Sequence, residues 1–185
     1  MATDVLPTWE AEEQDAVLKL ANKRYKSGRR NRAIILLMLR CGLRVSEVVG
    51  HEKREGGGLR VGDVDMTTGR IQIKDAKDTR KRKGKHSRAG RTVFADEQAL
   101  RAIQAWWDDR AKIDNTTDYL FTTSTGKPVS PANVRQIIRR YADRANVPAE
   151  KAHPHALRHT YATKFLRDGG DFVSFSESSD IPVYR

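Results

Sequence analysis

A chain of 185 residues is long enough for one domain with a sizeable core and too short for two ordinary ones, so a single domain over 1–185 is expected. Lys and Arg outnumber Asp and Glu by 35 to 24, and the formal net charge of +11 points to a polyanionic partner. The one cysteine, Cys41, excludes an internal disulfide framework; no apolar run follows a basic start as a secretory signal requires, and the longest apolar stretch, 33–39, is too short to span a bilayer, so a reduced, cytoplasmic protein with no membrane role is expected.

In chain order, Thr8 is the expected N-cap of a first helix. Glu10, Glu12 and Glu13 sit near its positive end, Val17, Leu20, Ala21 and Tyr25 recur at helical spacing, and Gly28 is expected to stop it. A second helix, over roughly 31–41, is apolar almost all round, the pattern of a central buried helix, and Gly42 supplies its C-cap. The Gly56-Gly57-Gly58 run reads as a surface loop.

Segments 70–73 and 92–94 read as the strands of an antiparallel β-hairpin. Between them the stretch 74–91 holds nine Lys or Arg against two acids, Asp75 and Asp78, whereas 4–15 holds five acids and no Lys or Arg. The positive charge is therefore concentrated on the hairpin tip, where Arg80, Lys81, Arg82, Lys83, Lys85 and Arg88 are candidate contacts to a nucleic-acid backbone.

Asp96 can cap a helix with Leu100, Ile103 and Trp107 on one face, which predicts core packing for Trp107 and partial exposure for Trp106. Ser130 followed by Pro131 starts the next helix, with Val134, Ile137, Ile138 and Tyr141 on its apolar stripe. A last helix runs over about 155–167 through Leu157, Tyr161 and Phe165 and ends at Gly169-Gly170; beyond Phe172 the patterning fades. The expected class is mainly α with a small antiparallel β-hairpin, α+β.

Two segments carry chemistry. In HPHALRHTYATKFL, 153–166, His155 and Arg158 are three residues apart on a helix, so both side chains can converge on one anionic group. In CGLRVSEVV, 41–49, Arg44 follows a buried helix and a glycine, and Glu47 comes three residues later. An arginine so placed needs a carboxylate or an anion, because an unpaired buried guanidinium is costly.

These segments resemble the two signatures of the tyrosine recombinase (phage integrase) family, the Gly-Leu-Arg-x-Ser-Glu box and the His-x-x-Arg-His-Thr-x-Ala-Thr box. A basic hairpin lies between them and the TGKPVS segment, 125–130, precedes the second. The resemblance spans roughly residues 6–171 and implies the fold of that family's catalytic domain. It implies that Arg44 and Arg158 grip the non-bridging oxygens of the scissile phosphate, with His155 as hydrogen-bonding or general-base histidine and His159 as an accessory. Glu47 would orient the first arginine. The family's hairpin lysine, the general acid to the leaving 5′-oxygen, matches Lys77, with Lys74, Lys81, Lys83 and Lys85 nearby. Guanidinium forks suit such a role, since they match phosphate oxygens bidentately and balance developing charge without a metal.

The family's nucleophile is a tyrosine that follows a Leu-Gly-His-type segment. Counted without gaps from Arg158, the His or Trp position of that segment falls on Ile181 and the tyrosine falls past Arg185. The tail 172–185 is also polar where apolar helix positions are expected. Tyr184 is the tyrosine that follows the second box, and it stands as the candidate nucleophile. The chain begins where the family's catalytic domain usually begins, so the amino-terminal DNA-clamping domain is not expected in it.

His153, His155 and His159 do not read as a metal site, because no CxxC or His-Glu-x-x-His pattern and no carboxylate cluster accompanies them; no cofactor is expected. The function implied is site-specific DNA strand cleavage and rejoining through a 3′-phosphotyrosyl intermediate. The partners implied are duplex DNA and further copies of the chain, in a tetramer on paired sites. The alternative is an inactive, truncated remnant that holds DNA through its phosphate clamp and basic hairpin. A basic RNA-binding module is a third reading.

Overall fold

The computed structural model describes residues 7–21, 24–51, 57–74, 90–113 and 116–170. The described residues form six α-helices, two short 3-10 turns and one two-stranded antiparallel sheet: α1 (Ala11–Leu20), α2 (Lys26–Cys41), α3 (Val45–Val49), β1 (Arg70–Ile73), β2 (Arg91–Phe94), α4 (Glu97–Arg110), α5 (Pro131–Arg144) and α6 (Pro154–Arg167). The fold is mainly α with a small hairpin.

Helix α2 is the axis. Every side chain from 33 to 39 is buried, which an all-round apolar helix requires, and α4 and α6 pack along it while α1, α3 and α5 close the remaining sides. Gly42 caps α2 in the left-handed conformation, φ 62°, and a Cβ there would run into the ring of Tyr161 on α6. This close approach brings the α2–α3 turn against the second sequence box.

Both ends of the first helical region differ from expectation. α1 starts at Ala11 with Glu10, not Thr8, at its N-cap, and Glu13 Oε2 accepts the Glu10 N–H at 2.7 Å. The reason is tertiary: the Trp9 N–H donates to Thr160 Oγ1 on α6 at 2.8 Å and the Trp9 indole to Lys151 O at 2.7 Å, holding the chain extended up to Glu10. α1 ends at Leu20, and Gly28 lies buried inside the first turn of α2 rather than stopping α1. A helical glycine costs only about 1 kcal/mol. That cost is offset where Arg29 reaches Asp109 on α4 at 2.8 Å and Asn31 reaches the Tyr141 hydroxyl on α5 at 3.1 Å. Tyr25 belongs to the cap of α2 and is exposed.

The hairpin pairs Arg70 with Phe94 and Ile73 with Arg91, and it buries Ile71 and Ile73 against the core. Its tip, 75–89, lies outside the described residues. Asp96 caps α4 as expected, accepting the Ala99 N–H at 2.8 Å. The buried face of α4 is however Ala99, Ala102, Ile103 and Trp106, so Trp106 is the core tryptophan and Trp107 is half-buried, the reverse of the expectation. Two helical phases share Ile103. The chosen one gives the Trp106 indole a buried acceptor, Leu120 O at 2.8 Å, and turns Asp109 toward Arg29. α5 and α6 bury the stripes expected of them at Val134, Ile137, Ile138 and Tyr141 and at Leu157; Tyr161 and Phe165 are half-buried.

Candidate active site

Three elements converge beneath the end of α2. Arg44 is the N-cap of α3, and Glu47, one turn on, accepts its backbone N–H at 2.7 Å and its Nη1 at 3.2 Å. Arg91 opens β2 and reaches the same carboxylate as a fork, Nη1 to Oε1 at 2.7 Å and Nη2 to Oε2 at 2.9 Å. Arg158 comes from α6. Its Nη1 donates to Gly42 O and stands 4.0 Å from Glu47 Oε2, while its Nη2 is buried and has no hydrogen-bond partner among the described residues.

Three guanidiniums thus surround one carboxylate, and positive charge is in excess. Arg158 is 3% exposed, and its pKa is pushed down to about 10, first by burial and then by the neighbouring Arg44 charge. Burial alone would raise Glu47, but the Arg91 hydrogen bonds and charge, with the Arg44 N–H, outweigh it and hold the carboxyl below its usual range. The Arg44 side chain keeps about a third of its surface, 34%, open to solvent. An oxyanion arriving from that side meets guanidiniums already oriented, at a cost in desolvation that folding has already met.

His155 lies one turn before Arg158 on α6 and is exposed. Burial of part of its ring, then His153, Arg158 and Arg44, lower its pKa, which favours the neutral imidazole. His159 is buried, its ring meets that of His155 edge-on at 4.2 Å between centroids, and its Nε2 has no hydrogen-bond partner among the described residues. Burial, then His155 and Arg158, push it down to about 4. His153 is occupied otherwise, its Nδ1 accepting the Ala156 N–H at 3.2 Å as the cap of α6.

Of the residues singled out from the sequence, Arg44, Glu47, His155, Arg158 and His159 come together here. Lys77, Arg80, Lys81, Arg82, Lys83, Lys85, Arg88 and Tyr184 lie outside the described residues. Lys74 stands with its Nζ 2.5 Å from the buried Asp63 carboxylate, tying the hairpin base to the turn Val61–Asp63. From the sequence, Arg91 is only one charge of the basic run. Its position on the strand directly opposite the inward-facing Ile73 is the signal that sets it apart.

A second basic surface also escapes the sequence reading. On α5 the side chains of Arg135, Arg139, Arg140 and Arg144 are all exposed, opposite the buried stripe of the same helix. They form like-charged pairs four residues apart, an arrangement that weakens a helix in isolation and favours a polyanion across it. No helix among the described residues is long and apolar enough to cross a membrane.

The model of the phage integrase family matches residues 8–176. Tyrosine recombinase XerC of Chlorobaculum tepidum is 32% identical over 166 residues, covering 86% of this chain and 44% of that protein. XerC of Ralstonia pickettii is 31% identical over 157 residues, covering 80% and 44%. The chain spans less than half the length of these two relatives. Among solved structures, the XerA recombinase aligns with a TM-score of 0.76 at 26% identity, over 92% of this chain and 54% of that one. XerH bound to its difH substrate in a pre-cleavage complex aligns with a TM-score of 0.72 at 21% identity, over 95% and 47%, a likeness of fold.

Proposed function

Because the chain belongs to the phage integrase family of tyrosine recombinases, we propose that its arginine cluster grips the scissile phosphate of duplex DNA for strand cleavage and rejoining. The observation that carries this is the buried Arg158, with an unpartnered Nη2, beside the half-open Arg44 and in an excess of guanidinium over carboxylate. Two fixed guanidiniums on the non-bridging oxygens stabilise the charge that builds in a pentacoordinate transition state, with no metal required.

In this reading a tyrosine hydroxyl attacks phosphorus, a P–O(tyrosine) bond forms and the P–O5′ bond breaks, leaving a 3′-phosphotyrosine and a free 5′-hydroxyl. Neutral His155 takes the tyrosine proton, and Lys77 of the hairpin protonates the departing 5′-oxygen. Attack of a 5′-hydroxyl on the phosphotyrosine reverses the sequence and rejoins the strand. Tyr184 is the tyrosine the sequence offers for the attack. The hairpin residues Arg80, Lys81, Arg82, Lys83, Lys85 and Arg88 and the exposed face of α5 would hold the flanking backbone. Paired sites would be brought together by self-association of the chain into a tetramer.

The test is a duplex enriched by binding from a random pool and then nicked, so that cleavage traps the protein on DNA. The expected result is a covalent adduct on a denaturing gel that disappears in Arg44→Ala and Arg158→Ala. Its loss in Tyr184→Phe assigns the nucleophile, and its persistence there rules Tyr184 out. Salt-sensitive binding with no adduct from the wild-type chain replaces cleavage with the alternative, a clamp that holds DNA without cutting it.

A further inference from the structure

Glu47 has two oxygens and three guanidiniums within reach, and the distances rank them. Arg91 holds both oxygens at 2.7 and 2.9 Å, the Arg44 side chain reaches one at 3.2 Å, and Arg158 stays at 4.0 Å, beyond hydrogen-bond range. The two arginines read as phosphate ligands are therefore the two that Glu47 holds least tightly. A half-buried carboxylate beside three cations would otherwise close on whichever guanidinium it could reach, and a closed Arg158–Glu47 pair would have to be broken before an oxyanion could bind.

We infer that Arg91 is a positioning residue that occupies Glu47 in a bidentate fork, so that the carboxylate orients Arg44 through its backbone N–H and one side-chain hydrogen bond without closing on the Arg158 guanidinium. The inference rests on the phosphate-clamp reading above. It accounts for three features together: Arg91 opens β2 with its side chain largely buried, both its terminal nitrogens are spent on one carboxylate, and Arg158 Nη2 is left without a partner. Only a planar fork does this. A lysine at 91 keeps the charge but offers a single ammonium centre, which leaves one Glu47 oxygen for Arg158.

Arg91→Lys, with charge unchanged, is the experiment, read by nitrogen-15 NMR of the arginine side chains and by titration with inorganic phosphate. In the wild type, phosphate is expected to shift the Arg158 and Arg44 guanidinium signals. In Arg91→Lys without phosphate, the Arg158 Nη signals are expected to split as its rotation slows on pairing with Glu47, and phosphate affinity is expected to fall about tenfold, the scale of one charge-assisted hydrogen bond. Adding Glu47→Gln to Arg91→Lys is expected to reverse both changes.

An Arg91→Lys protein with unchanged phosphate affinity overturns the inference. So does one that loses affinity while the Arg158 signals stay as in the wild type, which would make Arg91 a strut for the hairpin and nothing more. Should Arg91→Lys fail to melt cooperatively, Glu47→Gln alone decides: phosphate affinity at or above the wild type agrees, and a loss overturns. No phosphate response at Arg158 in the wild type instead defeats the clamp reading itself, and this inference with it.

Discussion

The arginines of the cluster and those of α5 carry the same charge into opposite surroundings. Arg158 is buried and Arg91 half-buried around Glu47, at fixed distances from it, whereas Arg135, Arg139, Arg140 and Arg144 stand in solvent on one helix face. In the first setting a weak dielectric response makes each guanidinium strongly directional, suited to one phosphate in one geometry. In the second, screening leaves a diffuse potential suited to any stretch of backbone. In the proposed function, the first region discriminates a transition state and the second raises the local concentration of DNA.

That contrast is sharpest in the chemistry. Arg158→Ala is expected to lower the single-turnover rate of adduct formation by about two to three orders of magnitude at saturating DNA, the cost of a preorganised oxyanion donor. Paired substitution of Arg135 and Arg139 by Gln is expected to leave that saturated rate within about twofold, because exposed charges act on binding. A large rate loss from the α5 pair would break the comparison.

Stability separates the regions next. Glu47→Ala leaves three guanidiniums without their carboxylate and is expected to destabilise by about 3 kcal/mol in urea, toward the lower end for a broken buried ion pair. The sign of the acid dependence follows from its lowered pKa: the stabilisation is complete above the unfolded value near about 4.3 and is lost as pH falls through the folded value. The wild type should therefore lose this contribution below about pH 4, and Glu47→Ala should not. The α5 pair should change stability by no more than about 0.5 kcal/mol.

Binding reverses the ranking. The α5 pair should weaken affinity for all duplex sequences alike and reduce the slope of log K against log salt by about 0.9 for each phosphate that is no longer neutralised. The histidines add a separate dependence of stability on pH. His159, at about 4 when folded and about 6.5 when unfolded, binds its proton more readily in the unfolded chain. Stability should therefore rise with pH across that window and be complete above it, with His155 contributing in the same sense. Urea midpoints at pH 5 and pH 7 should differ less in His159→Phe than in the wild type.

Much of this was legible in the chain. The buried helix at 33–39, the Gly42 cap, the hairpin strands, the Asp96 and Ser130 caps and the apolar stripe of α5 follow from periodicity and capping chemistry alone. The two boxes singled out Arg44, Glu47, His155 and Arg158, and the structure places these residues near one another. The errors share one cause. Thr8 lost the cap of α1 because Trp9 is tied to Thr160 and Lys151, residues more than 140 positions away. Gly28 stayed helical because Asp109 and Tyr141 hold its neighbours. Trp106 displaced Trp107 from the core because a carbonyl at Leu120 could accept its indole N–H. Local pattern proposes a helix and its phase, and a distant partner worth about one or two hydrogen bonds is enough to choose between near-equal options.

The sequence by itself determined the charge of the protein, its helical architecture with one hairpin, and the two boxes that place it among the phage integrases. Spacing along a helix is a local property, so the His155–Arg158 pair could be read without a structure. Only the tertiary structure decided that Arg91, from a strand, shares Glu47 with Arg44 while Arg158 stands 4.0 Å from that carboxylate. Three guanidiniums drawn from residues 44, 91 and 158 are distant in the chain, and a carboxylate ranks its cations by distance in space.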